Sequence, residues 1–135
     1  MRNKTMLLAL LFSFNALAAT PQELLKQYEG QAKQENPAFL RFSAERGASF
    51  YKAERNHSNG QKVSCATCHT ADPRNQGKTR ANKVIEPMAT IANPQRFTDA
   101  AKVEKWFGRN CKDVLERACN AQEKGDYIQY LISIK

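Results

Sequence analysis

The sequence predicts a helical scaffold in which an early helix and the closing helix cross, and three observations carry that prediction. Apolar residues recur at helical spacing in two places. Over 37–55 they are Phe39, Leu40, Phe42 and Phe50 with Ala38, Ala44 and Ala48; after Asn120 they are Tyr127, Ile128, Tyr130, Leu131 and Ile134. Gly47 lies inside the first of these stretches, where glycine costs roughly 1 kcal/mol against alanine, and close approach of a second helix explains it. Between His69 and Phe97 the turn signals Asp72-Pro73, Asn75, Gly77, Pro87 and Asn93-Pro94 predict irregular chain rather than strands.

Taken in order, Arg2 and Lys4 precede the apolar run Met6 to Phe12 and the small residues Ala16-Leu17-Ala18-Ala19. That is the layout of a signal peptide over 1–18, and the apolar run is too short to span a bilayer, which takes about 20 residues. The remainder reads as one small domain. Residues 19–36 carry Leu24, Leu25 and Tyr28 at helical spacing and read as an N-terminal arm or short helix. Asn36-Pro37 opens the helix expected over 37–55, because proline is tolerated in a first turn. Thr98-Asp99 starts another, with Ala100, Val103, Trp106 and Phe107 on one side, running toward Asn110. Asn120 caps the closing helix, with Glu123 three residues later.

Cys65-Ala66-Thr67-Cys68-His69 dominates the middle of the chain. Two thiols three apart with a histidine directly behind the second are the attachment signal of a c-type haem: the thiols form thioethers to the porphyrin, and His69 becomes the proximal iron ligand. A thioredoxin-like pair wants a βαβ setting, which the surrounding residues lack. A zinc site would take Cys111 and Cys119 as its second half, and their spacing is far from that of a zinc knuckle. One covalent haem c is therefore expected, and Trp106 is expected to pack against it or the core.

The formal charge of the whole chain is +8, and nineteen basic and thirteen acidic residues remain once Arg2 and Lys4 leave with the signal, a net of +6. No nucleic-acid motif accompanies this charge, so an acidic redox partner is expected rather than DNA or RNA. Arg74, Lys78, Arg80 and Lys83 read first as a solvated loop and second as a docking face or propionate contact. Export also bears on the other cysteines, since two free thiols are out of place in an oxidising compartment. An unbroken helix would hold the Cα atoms of Cys111 and Cys119 about 12 Å apart, beyond the roughly 7 Å a disulfide bridges, so the expected bond demands a chain reversal.

Function turns on the sixth iron position, for which the mature chain offers Met88, His57 and Asn110. From the residues alone Met88 is the choice, since thioether ligation is common and Ile85-Glu86-Pro87-Met88 is a turn, although a methionine filling a core gap fits as well. His57 lies in the polar stretch Glu54 to Gly60 and reads as solvated.

Gly47 to Phe50, the haem motif and Tyr130-Leu131 together resemble the small single-haem cytochromes c over 37–135. The resemblance implies the all-α cytochrome c fold, first and last helices crossed over one covalently bound haem. A narrower likeness rests on Val103 to Cys111, Cys119, Glu123 to Asp126, Ile85 to Ala89 and Asn93 to Phe97, which are similar to the SHP family of oxygen-binding cytochromes c. That resemblance moves the distal assignment from Met88 to Asn110, which would hold ferric iron and release it on reduction, leaving the haem open to O₂, NO or CO. It also implies partnership with a dihaem cytochrome c and a b-type membrane cytochrome, while the signal peptide points to a periplasmic setting. The alternatives are a conventional His69/Met88 electron carrier and a haem-based gas sensor. No general base or nucleophile constellation is visible, so any enzymatic activity belongs to haem redox chemistry on O₂ or NO.

Overall fold

A computed structural model describes residues 18–135, so the predicted signal peptide lies outside the described residues except for Ala18. Helix α1 runs Pro21–Glu35, entered through a capping box in which Glu23 N donates to Thr20 Oγ1 at 3.2 Å and Thr20 N donates to Glu23 Oε2 at 2.7 Å. It buries Leu24, Tyr28 and Ala32 against the closing helix α5, Ala121–Ser133, and so forms part of the core.

Helix α2 spans Ala44–Lys52 and begins seven residues later than the sequence predicted. Ser43 decides the start: its Oγ accepts from Arg46 N at 3.2 Å, and its own N donates to Asp126 Oδ1 at 2.7 Å. Both bonds need extended backbone at Ser43, so residues 37–43 stay irregular. They are held by Phe39, which packs with Ala32 and Ala121, while Leu40 points outward at 88% exposure.

The crossing of α2 on α5 depends on Gly47. A Cβ on Gly47 would stand 1.9 Å from Asp126 O and 2.8 Å from Tyr130 Cβ, so the backbones meet where a side chain cannot fit. On Gly125 it would stand 2.0 Å from the Phe42 ring. Asp126, 4% exposed, is secured by Arg46 through Nε to Oδ2 at 2.8 Å and Nη2 to Oδ1 at 2.9 Å. Behind the crossing, Tyr51 and Tyr127 sit with ring centroids 6.0 Å apart, and Phe107 meets Tyr127 edge-on at 5.5 Å.

The middle of the chain is mostly turns, with two minimal antiparallel ladders. β1 (Arg55–Asn56) pairs with β2 (Lys62–Val63), and β3 (Gly77–Lys78) with β4 (Val84–Ile85). Helix α3 is Cys65–His69, and α4 is Ala100–Leu115, capped by Asp99 and ended by Glu116 in the left-handed region at φ 55°. That reversal brings Cys111 and Cys119 together in a disulfide with Cα atoms 5.6 Å apart. Val84 and Ile91 are exposed at 56% and 62%, and Trp106 lies outside the protein core at 44% exposure. Trp106 lies one residue from Phe107, which α4 turns inward, so its ring rests beneath the Arg109 guanidinium instead.

Candidate haem site

The five residues of α3 place Cys65 and Cys68 one helical turn apart, on one face, with His69 directly behind. Thr67 Oγ1 accepts from Ser64 N at 2.9 Å and starts the turn. Thr70 stops it abruptly, with φ 65° and ψ 163°, a conformation that a β-branched residue adopts only under constraint. The constraint comes from α2: the Tyr51 hydroxyl, on a fully buried side chain, donates to Thr70 O at 2.7 Å, with His69 O a second acceptor at 3.0 Å. From the other side β3 closes in, where a Cβ on Gly77 would be 2.0 Å from Cys68 O and 2.9 Å from His69 Cα. The motif is thus gripped between two elements.

Its electrostatics suit iron binding. Burial, with help from the Arg96 guanidinium, pushes the His69 pKa down to about 4, so the imidazole is in the neutral form that ligates metal. Its Nδ1 is buried without a hydrogen-bond partner among the described residues. Burial pushes the Cys65 thiol up to about 11, against the opposing pull of Arg55. A thiol so raised is no thiolate nucleophile, which argues against a thioredoxin-type pair. Two free thiols on one face beside a neutral, buried imidazole are the donor set that a covalently attached porphyrin requires. Arg96 itself is anchored through Nε to Pro87 O at 2.8 Å and Nη2 to Glu86 O at 2.5 Å.

The three candidates for the distal position fall in different surroundings. Met88 is 8% exposed within the main core cluster, and its backbone N donates to Pro73 O at 2.9 Å. Asn110 is half-buried on α4, on the flank shared with Val103 seven residues earlier, and directly precedes Cys111. His57 is not solvated as its polar neighbours suggested. Its side chain is 18% exposed, its Nδ1 is buried with no partner among the described residues, and its Nε2 stands 3.5 Å from Glu116 Oε1. The same carboxylate accepts from Ser58 N at 3.0 Å and from the Ser58 hydroxyl, tying the β1–β2 turn to the disulfide loop.

The family model described as "Domain of unknown function (DUF1924)" matches residues 37–131, which include the haem motif, Met88 and Asn110. Cytochrome c-type protein SHP of Cereibacter sphaeroides is 42% identical over 112 residues, 83% of this chain and 82% of that protein. The chain belongs to the SHP-type cytochromes c. The structure of oxidised SHP, an oxygen-binding cytochrome c, superposes with a TM-score of 0.76 at 38% identity, covering 87% of this chain and 99% of that one. Cytochrome c'' of Methylophilus methylotrophus is 36% identical over 126 residues, 91% of this chain and 88% of that protein. Its solution structure, which addresses haem-ligand detachment, gives a TM-score of 0.76 at 35% identity, over 84% of this chain and 93% of that one.

This cytochrome therefore has the all-α cytochrome c fold and carries covalently bound haem c. Among the described residues no helix is long and apolar enough to cross a membrane. Three residues that support the haem motif were missed in the sequence. Tyr51 was not singled out at all, Gly77 stood as a turn glycine and Arg96 as part of a family match. Only Gly77 carried a usable signal, since glycine beside a fixed motif marks close backbone approach.

Proposed function

We propose that this is a periplasmic cytochrome c with a single haem, freed of residues 1–18 on export, whose Asn110 holds the iron when it is oxidised and lets go when it is reduced. The haem supplies one-electron redox chemistry and, once reduced and open on its distal side, a place for O₂, NO or CO. Asn110 brings a hard, neutral amide oxygen, suited to ferric iron and a poor match for the softer ferrous ion. The carboxamide nitrogen, a donor, stays nearby to steady a small bound ligand. Cys111 and Cys119, bonded directly behind it, limit how far the released side chain carries the backbone. Electrons come from a partner, a dihaem cytochrome c and behind it a b-type membrane cytochrome.

The observation that carries this reading is the likeness to SHP, an oxygen-binding cytochrome c, over nearly all of that protein's chain. The burial of Met88 among core side chains supports a packing role for it. Spectra of the purified holoprotein test the proposal. The ferrous form should be high-spin and shift on adding CO, and Asn110→Ala should change the ferric spectrum while Met88→Ala leaves it nearly intact. A low-spin ferrous form indifferent to CO, with a sulfur–iron charge-transfer band in the ferric protein, assigns Met88 instead and returns the chain to a conventional electron carrier.

A further inference from the structure

Helix α4 carries Lys102, Lys105, Arg109 and Lys112, all exposed, at steps of three, four and three that place them on one face opposite Phe107 and Cys111. Ion pairs among the described residues draw on other cations, among them Arg117 and Lys124. The stripe works against its own helix. Lys102 and Lys105 lie in the first two turns, where the helix dipole disfavours positive charge, and the Asp99 carboxylate at the cap offsets only part of that. Like charges three and four apart repel each other as well. Arg109 is held over the Trp106 ring, 5.5 Å from its centre, and its charge stays at the surface.

The geometry points to this outer face of α4 as the docking surface for an acidic redox protein, an inference that rests on reading the chain as an acceptor of electrons. Charge complementarity selects the partner. A cationic face of regular spacing draws an acidic surface in by long-range attraction. Since Asn110 sits on the same helix, the docked partner lies against the element that bears the proposed distal ligand.

The test uses the holoprotein and flavodoxin hydroquinone, an acidic one-electron donor, with reduction followed by stopped flow over a range of ionic strength. In Lys105→Glu/Arg109→Glu the bimolecular rate at low salt should fall by about tenfold or more and its salt dependence should flatten. Reduction by lumiflavin semiquinone, small and neutral, should be the same in the wild type and the double variant. The inference is overturned if the double variant keeps the wild-type rate and slope, if the loss appears instead in Arg80→Glu/Lys83→Glu, or if the wild-type rate ignores salt. Preferential binding of the wild type to phosphatidylglycerol vesicles would give the face to an anionic membrane and also overturn it. The CO spectrum of the double variant separates this result from the gas-binding proposal: absence of a CO shift sinks that proposal and leaves the docking rates standing.

Discussion

Tyr51 shows how one atom can hold a cofactor motif. Its hydroxyl is the donor that satisfies the carbonyls behind His69 while Thr70 turns the chain through a strained conformation. Tyr51→Phe keeps the ring in its packing with Tyr127 and removes only that donor. The expected loss is about 1–3 kcal/mol, the cost of leaving a buried acceptor unpaired. A thermal melt of the holoprotein should shift down by several degrees, and an unchanged melting temperature would show that the carbonyls find other partners. Nothing in the sequence sets Tyr51 apart from the chain's three other tyrosines, because its role depends on a residue eighteen positions away.

At the level of elements, α4 and the loop behind it work as a unit. Glu116 in the left-handed region reverses the chain, the disulfide closes the loop, and Ser58 and His57 grip Glu116 from the β1–β2 turn. Replacing both cysteines, Cys111→Ser with Cys119→Ser, should lower stability by about 2–3 kcal/mol in chemical denaturation. If the disulfide also fixes the backbone beside Asn110, the ferric spectrum and the CO association rate change too; a drop in stability alone makes the bond purely structural. The helix pair of the scaffold was readable from Gly47 because a glycine in an amphipathic helix demands a close neighbour. The start of α2 was misread at Pro37, since the competing cap at Ser43 wins only through Asp126, a partner far along the chain.

For the whole molecule, the link between α1, α4 and α5 sets the response to acid. Glu104 accepts from the Tyr28 hydroxyl, and Lys124 Nζ donates to it at 2.9 Å. Burial works to raise the Glu104 pKa, but the hydrogen bonds from Tyr28 and Lys124 outweigh it and hold the carboxyl below its usual range. A folded-state pKa below the unfolded value of about 4.3 contributes stability that is present above that pH and is lost as pH falls through the folded pKa. The Glu104 contribution to the melting temperature should therefore be constant with pH near neutrality and be lost as pH falls below about 4. In Glu104→Gln that acid limb should be shallower; an identical limb would place the acid-sensitive link elsewhere.

Sequence alone determined the haem motif, the helical scaffold with its glycine crossing, and the family, because each rests on residues within a few positions of one another or on a fixed pattern. Only the tertiary structure decided where α2 begins, that α1 belongs to the core and that His57 is tied to Glu116. Those outcomes are set by partners dozens of residues away, and the free energy of such contacts exceeds the local preferences that a linear reading weighs.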